Sequence, residues 1–585
     1  MERQYPIYTA ETVCQDCYKC LRQCPVKAIH VENGHARVTP ALCVTCGACV
    51  EVCPARAKKI RNDVNRARHL LKQGGPVYAS LAPSWVGEFP GLPPARLIAA
   101  LKKLGFAGVS ETALGAQEVS ATVAGSLTPD ARGIFISSAC PAAVLLVRKY
   151  LPEHTAAVTR LHSPVMAHCA LLREHFGPDI QVVFFGPCIA KKGEADAYPN
   201  LLDLALTFGE LREWFEQAEI TPEALAPAET DVFVPAAAEE GALYPIEGGM
   251  TETIRALGDF RHVRFVTVTG VDTIRKALTG LDAAAVDRPV FVEALACEGG
   301  CIAGPCATDP APTLAKRLAV EDHAITPPLP VHRAPQVDIA RAFTADGVNT
   351  DAPDPARIRE ALRQIGKKRV EDELNCSGCG YNTCREFAAA LVAGAAEPSM
   401  CVSYMRDLAH KKANALLRSM PSGVVIVDAD LRIIECNERF GRMFGDEVAQ
   451  VYDACPGLRG CSLAKVLPFT EMFNTALNFN REIHYDHYRH ENRLLNITIF
   501  TLEPGQVVGA VILDVTRREM RRDQIAQRAQ EVIRRNLSTV QEIACRLGEH
   551  MADTEILLRS IAEGYGADNG VRQPDPREGG PRHEP

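Results

Sequence analysis

Two kinds of patterning divide the chain. Short continuous apolar runs, such as Val182–Phe185 and Val290–Leu295, predict buried parallel strands. Segments such as Arg96–Leu104 carry apolar positions at helical spacing and predict helices packed on those strands. From 415 to 516 the pattern changes to strands alternating with short helices. Ser422–Asp428 predicts a strand ending at a turn, Arg432–Asn437 a second strand, and Phe440 and Phe444 mark a helix. Leu494–Leu502 and Val507–Leu513 predict later strands. From Ile533 the apolar positions step by four and three through Leu537, Val540, Ala544, Leu547, Met551, Thr554, Leu558 and Ile561. Such a seam over four heptads favours a dimeric coiled coil over a helix folded back on a sheet. Pro-rich stretches at 326–335 and 351–355 read as linkers. The tail after Gly566 is rich in Gly, Pro and charge, and is expected to be disordered.

Composition adds one unusual fact. The chain has 585 residues, enough for about four domains, and its 47% hydrophobic and 23% charged content is ordinary. It also has 22 cysteines. Met1 is followed by Glu2, Arg3 and Gln4 with no apolar leader core, and no apolar run approaches the ~20 residues of a membrane span. The expectation is a cytoplasmic, non-membrane protein whose thiols stay reduced, so that clustered cysteines serve as metal ligands rather than disulfides. Net charge is −8, which argues against a nucleic-acid partner.

The cysteines fall in blocks. Cys14, Cys17, Cys20 and Cys24 are spaced C-x2-C-x2-C-x3-C with Pro25 following, and Cys43, Cys46, Cys49 and Cys53 repeat the spacing with Pro54 following. This is the two-cluster ferredoxin signature, in which the fourth cysteine of each run ligates the other cluster. Cys14, Cys17, Cys20 and Cys53 would hold one 4Fe–4S cluster, and Cys43, Cys46, Cys49 and Cys24 the other. Paired zinc sites are the competing reading, disfavoured by two full repeats with both prolines. In the middle of the chain stand Ser137-Ser138-Ala139-Cys140-Pro141, Gly186-Pro187-Cys188-Ile189-Ala190-Lys191-Lys192-Gly193-Glu194 and Glu293-Ala294-Leu295-Ala296-Cys297-Glu298-Gly299-Gly300-Cys301. Each follows an apolar run, hence sits where a strand ends. Cys140, Cys188, Cys297 and Cys301 suffice for a further cubane, and the lysine pair adds positive charge against an anionic cofactor. Cys376, Cys379, Cys384 and Cys401 form a last set, spaced C-x2-C-x4-C-x16-C. It resembles the small helical 4Fe–4S domain of several redox proteins, with a zinc knuckle as the competing reading.

The three central segments resemble the signature loops of the [FeFe]-hydrogenase catalytic domain, T-S-C-C-P, P-C-x-x-K-K-x-E and E-x-M-x-C-x-x-x-C. The resemblance extends over roughly 76–310 and includes Ala82-Pro83-Ser84 and Gly248-Gly249-Met250-Thr251-Glu252. It implies an H-cluster: a cubane on the four cysteines, bridged through Cys301 to a di-iron unit with CO, cyanide and a dithiolate. Lys191 matches the lysine that donates to cyanide, Glu194 the acid of the same loop, and Pro83, Ser84 and Pro164 match pocket-lining positions. There are departures. Ala139 replaces the proton-donating cysteine, Thr122 and Val123 stand where the family has acids, and Gly186, Leu295 and Val165 replace two methionines and a glutamine. The ligands are kept and the proton wire is lost, a pattern that resembles the sensory [FeFe]-hydrogenases.

The strand order in 413–518, closing on Asp514-Val515-Thr516, resembles a PAS domain. His484, His487 and His490 do not make a metal site there: on a regular strand His484 and His490 share a face and His487 points away. His550 lies too near the end for a kinase domain to follow, so output needs a separate protein. The expected architecture is multidomain, α+β and α/β. It comprises a ferredoxin-like two-cluster module (1–70), an [FeFe]-hydrogenase-like α/β domain (76–345), a small helical Fe–S domain (355–412), a PAS α/β domain (413–518), a coiled-coil output helix (519–566) and a disordered tail (567–585). The expected function is hydrogen or redox sensing with slow hydrogenase turnover. Expected cofactors are three accessory 4Fe–4S clusters and an H-cluster supplied by maturation. Expected partners are H2 and protons, an electron carrier such as ferredoxin, a phosphatase, kinase or regulator downstream, and a second copy through the C-terminal helix. The alternatives are a fully competent ferredoxin-linked hydrogenase with a regulatory PAS domain, and a non-catalytic electron-transfer or assembly protein holding cubanes only. Of the remaining cysteines, Cys169, Cys306, Cys436 and Cys545 are expected to be structural thiols, and Cys455 and Cys461 are the pair worth testing for redox chemistry.

Overall fold

A computed structural model describes residues 4–282, 286–325, 327–348, 353–491, 493–516 and 530–536. The chain parts into two compact units, Met1–Cys401 and Val402–Pro585.

The first unit opens with two small antiparallel ribbons, β1 (Ile7–Thr9) with β4 (Lys58–Ile60) and β2 (Ile29–Glu32) with β3 (His35–Val38). The cysteine repeat is also a backbone repeat. Asp16 and Thr45, Tyr18 and Gly47, and Lys27 and Arg56 have positive φ, at the offset that separates Cys14 from Cys43. Left-handed turns of this kind allow successive backbone N–H groups to converge, as in anion-binding nests.

The middle of this unit holds two parallel sheets. One runs β6 (Gly108–Glu111), β5 (Val77–Leu81), β8 (Gln181–Gly186), β9 (Leu204–Thr207); the other runs β10 (Arg264–Thr269), β11 (Val290–Leu295), β7 (Ile134–Ile136). Both predicted strands are found, buried and parallel. Trp85, Phe185 and Phe208 are among the largest fully buried side chains of this region. Helices Ala113–Ser126 and Pro164–Phe176 cross so closely that a Cβ on Gly115 would lie 2.1 Å from the Pro164 carbonyl oxygen. Beside that contact, fully buried His168 bonds Ser80 Oγ (2.8 Å) and Ser110 Oγ (2.7 Å).

The Pro-rich stretch expected to be a linker differs from the expectation. Val331 N donates to Ala256 O, Arg333 pairs with Glu239 and Glu240, Gln336 N donates to Glu118 Oε2, and Ile339 is buried. Prolines rule out helix but not packing, and here side-chain carboxylates take up the strap's backbone donors. The last cysteine set follows, with helices Pro355–Gln364 and Cys384–Val392 packed together. Its loop is joined to the first repeat by Lys27 Nζ, which donates to Gly380 O (3.0 Å), and by Val31 N, which donates to Ala395 O (3.0 Å).

The second unit begins with helix Val402–Ser419, which runs across the boundary expected between 412 and 413. An antiparallel five-stranded sheet follows. Its order is β13 (Ile433–Cys436), β12 (Gly423–Asp428), β16 (Val507–Asp514), β15 (Arg493–Glu503), β14 (Ile483–His490). Phe440, Phe473 and Leu463 pack on the buried residues of the sheet. The register of β14 on β15 slips between Tyr485 and Tyr488, and His487 takes a positive φ of 60°. That irregularity breaks the alternation. His484 sits opposite Thr498 and His490 opposite Arg493, so the two histidines do not share a face. His490 lies beside the Phe444 ring, 6.0 Å between centroids. Residues 530–536 are helical. The rest of the heptad seam from Leu537, with Cys545, His550 and the tail, lies outside the described residues. Among the described residues no helix is long and apolar enough to cross a membrane.

Candidate metal-cluster centre

The three central loops follow β7, β8 and β11, and parallel strands deliver all three to one place. There Cys140, Cys188, Cys297 and Cys301 line a single cavity of about 110 Å³. Pro83, Ser84, Ala139, Pro164, Val165 and Lys191 line it too. Burial pushes the thiols of Cys297 and Cys301 up, and that of Cys188 up to about 11. Burial disfavours the thiolate form unless a cation stands beside it, and bound iron would be such a cation. Cys140 Sγ accepts from Ala296 N at 3.5 Å. The Ser84 hydroxyl is buried and has no protein partner. Four converging thiols, a sulfur already facing an N–H donor and an unpartnered hydroxyl are what an iron–sulfur group with polar ligands needs, so the donor set fits such a group.

The two lysines of the second loop part company. Lys191 Nζ lies at the cavity wall, bonded to Ser163 Oγ (2.9 Å) and Glu194 Oε2 (2.7 Å). Ser163 Oγ also donates to Glu194 Oε2 (2.9 Å) and the Arg341 guanidinium stands 3.8 Å from its other oxygen. Lys192 is fully buried elsewhere, bonded to Asp63 Oδ2, Ala205 O and Glu210 Oε1 at 2.9–3.0 Å. The pair was expected to add its charge jointly to the site. The helical turn of Ala190–Ala197 sends neighbouring residues to different faces, and Lys192 instead ties the amino-terminal block to the sheet.

The replaced positions also have structural counterparts. The space a side chain would occupy at Gly186 is filled by the Phe184 ring, 2.4 Å from an ideal Cβ. Thr122 Oγ1 donates back to Glu118 O (2.8 Å), and Val123 lies in an apolar cluster. Met250 and Glu293 are among the cavity residues to which the sequence assigned no role. Met250 Sδ accepts from Ser137 Oγ at 3.0 Å, and Glu293, 1% exposed, points its carboxyl into the wall. Both stand inside motifs that the sequence singles out, Gly248–Glu252 and the third loop, which is the signal that could have found them.

The other cysteine sets connect to this cavity. Thr45 and Cys46 belong to its lining, and an added Cβ on Gly47 would lie 2.4 Å from Pro305. Helix Pro141–Tyr150 starts next to Cys140 and ends with Lys149 Nζ on Ala41 O (2.6 Å) and Tyr150 Oη on Leu42 O (2.6 Å). Within the amino-terminal block, backbone N–H groups of Ala28, Thr45 and Ala57 point at Cys24, Cys43 and Cys53 Sγ at 3.2–3.3 Å, the donors that thiolate ligands use. Cys379 and Cys401 of the last set are buried, Cys384 is half-buried and Cys376 exposed. Outside the sets, Cys169, Cys306 and Cys436 are buried.

Comparison with known proteins accords with this geometry. Residues 75–305 match the family model of the iron only hydrogenase large subunit, C-terminal domain. Residues 6–54 match a 4Fe-4S dicluster domain, 372–403 an Fe-S cluster family and 412–476 a PAS domain. A curated relative is the NADP-reducing hydrogenase subunit HndD of Solidesulfovibrio fructosivorans, 24% identical over 349 residues. The aligned stretch spans 50% of this chain and 56% of that protein. Among solved structures, a variant of the [FeFe]-hydrogenase HydA1 from Chlamydomonas reinhardtii is similar at 20% identity and a TM-score of 0.38, covering 49% of this chain and all of that one. The PAS domain of an HTR-like protein from Haloarcula marismortui is similar at 22% identity and a TM-score of 0.15, covering 19% of this chain and 96% of that one. This chain is a hydrogenase-like iron–sulfur protein that carries a PAS domain.

Proposed function

We propose that the chain binds hydrogen at an H-cluster-like centre in the cavity, turns it over slowly, and reports the resulting redox state through its PAS domain to a separate effector. Cys140, Cys188, Cys297 and Cys301 would hold the cubane, with Cys301 shared with the di-iron unit. Bound there, the group supplies hydrogen binding and splitting at iron. The ammonium of Lys191, kept in place by Glu194 and Ser163, suits an anionic ligand at the wall, and the Ser84 hydroxyl offers a neutral donor. Pro83, Pro164 and Val165 keep water out.

Electron transfer follows the contacts between cysteine sets. The set with Cys46 adjoins the cavity, and the loop of the Cys376 set is bonded to the repeat that carries Cys14, Cys17 and Cys20. An external one-electron carrier of the ferredoxin class would meet this relay. Cys401, at the end of the relay, is followed directly in sequence by the helix that leads into the PAS sheet. A change of cluster charge moves an effector only if two conformations bind the two redox states unequally.

The observation that carries this reading is Ala139. It lines the cavity in place of a proton-donating thiol and has nothing to donate. The test is infrared spectroscopy of the matured full-length protein. The expected result is CO and cyanide bands that shift under hydrogen, with weak turnover that rises in Ala139→Cys. Cubane signals alone would overturn the reading in favour of a cluster-only protein. Fast wild-type turnover unchanged by Ala139→Cys would overturn it in favour of a competent hydrogenase.

A further inference from the structure

We propose that Cys455 and Cys461 are a redox-active thiol pair in the second unit, closed to a disulfide by small disulfides of the glutathione class. Closure then loosens the clasp between helix Val402–Ser419 and its sheet. The pair is independent of the central cavity and of whatever group is bound there.

The two cysteines bound the loop Cys455-Pro456-Gly457-Leu458-Arg459-Gly460-Cys461. Two turns in series fold it, with Leu458 N donating to Cys455 O (3.0 Å) and Cys461 N to Leu458 O (3.1 Å). The turns share Leu458, whose side chain is 1% exposed, while Gly457 and Gly460 take positive φ of 87° and 77°. Glycine on either side leaves the backbone free to adjust around that anchor. Cys455 is exposed and Cys461 half-buried, and both stand near the buried Cys436 thiol. The surroundings are electropositive. Arg459 belongs to the loop, and the Arg432 guanidinium donates to Gly460 O (3.2 Å). The acids beside it are engaged, Glu435 with Arg459 at 3.9 Å and Asp453 with Arg442 at 3.3 Å. A solvent-exposed thiol in such surroundings reacts first. Burial and then the neighbouring Cys461 push the Cys436 thiol up to about 12, so it stays protonated and leaves the exchange to the loop.

The Cys455 thiolate attacks one sulfur of the small disulfide, forming a mixed disulfide and releasing one small thiol. The Cys461 thiolate then attacks the Cys455 sulfur, the second small thiol leaves, and the Cys455–Cys461 bond forms. Two protein thiols lose two electrons and two protons, and the small disulfide gains both as two thiols.

The loop is tied to the sheet. Cys461 O accepts from Ile433 N (2.9 Å) and Ile433 O accepts from Gly460 N (2.8 Å), so the loop lies along the outer edge of β13. β13 ends at Cys436, and the next residue is Asn437, whose Nδ2 donates to Leu417 O (3.0 Å) near the end of the helix. Drawing Cys461 toward Cys455 pulls on the two Ile433 bonds, and through β13 on the residue that fastens the helix.

The test uses the full-length, cluster-loaded protein without oxygen, so that bound iron shields the ligating cysteines. The probe is glutathione disulfide, with dithiothreitol to reverse it. Mass spectrometry of alkylated peptides reads the thiols, and amide exchange reads the helix. Expected are a Cys455–Cys461 disulfide in the wild type with iron content unchanged, and normal closure in Cys436→Ala. Cys461→Ser should stop at the mixed disulfide on Cys455, and Cys455→Ser should leave Cys461 unmodified. Amide exchange at Ile433 and at the end of helix Val402–Ser419 should rise about 10-fold on oxidation, as for loss of one hydrogen bond, and return on reduction. A wild type that is left unreacted, stops at the mixed disulfide or pairs Cys461 with Cys436 would overturn the pair. A closed Cys455–Cys461 bond with unchanged amide exchange would overturn its coupling to the helix.

Discussion

Around its cavity the first unit buries Lys191, Glu194 and Glu293 with the hydroxyls of Ser84, Ser137 and Ser163, whereas the second unit, among the described residues, buries Ser422 and Asn437 as its polar side chains. Buried polarity costs stability unless it is paired. In the first unit the pairing is missing at Ser84, on the cavity wall, and complete at Lys192, away from it. In the second unit the Asn437 amide is fully used. Its oxygen accepts from Val424 N (2.9 Å) and Phe440 N (3.0 Å), and its nitrogen donates to Ser422 O (2.8 Å) and Leu417 O (3.0 Å). One region is arranged for chemistry. The other is arranged to fasten a helix to a sheet.

Four substitutions and one condition would break or sharpen that contrast. The largest effect is expected for Cys297→Ser, which should abolish the infrared bands of the matured centre while the iron of the other sets and the fold of the second unit persist. Iron counting and spectroscopy check it. Next is Lys192→Met, which leaves buried Glu210 without its cation while Asp63 keeps Arg61 and Arg66, and should cost the first unit about 3 kcal/mol in denaturant unfolding. Lys191→Met should cost less, because Glu194 keeps Ser163 and Arg341. Asn437→Ala leaves buried donors and acceptors unpaired and should cost the second unit about 2–3 kcal/mol, with faster amide exchange at the end of helix Val402–Ser419.

The smallest effect per step is a pH effect. Burial pushes His168 down to about 3. The folded state holds it neutral while the unfolded chain protonates it near its ordinary value of about 6.5. Its contribution is therefore fully present above that value and is lost as pH falls toward 3. The first unit should lose about 1.4 kcal/mol for each pH unit below about 6.5. An acid titration in which this unit showed no such slope would remove His168 as the cause.

Much of the fold and the centre was legible in the sequence, because cysteine spacing and apolar runs are local signals. The four central cysteines, Ala139 and the strands before their loops follow from order along the chain. What was not legible depends on pairs distant in sequence. The opposite fates of Lys191 and Lys192 depend on Asp63 and Glu210, and the packing of the Pro-rich strap depends on Glu118 and Glu240. The separation of His484 from His490 depends on a slip in register that no alternation of residue types announces. Glu293 stood within a motif, yet its hydrogen bond from Thr267 Oγ1 (3.2 Å) exists only once β10 lies beside β11.

The close approach of Gly47 to Pro305 also sets a timetable. A ribosome makes the first cysteine block well before residue 305. At roughly 5–20 residues per second, the interval is on the order of tens of seconds. During it the thiols of that block, Cys46 among them, have no neighbouring domain to face. The cavity lined by both Cys46 and Pro305 is therefore complete only after the later residues have arrived.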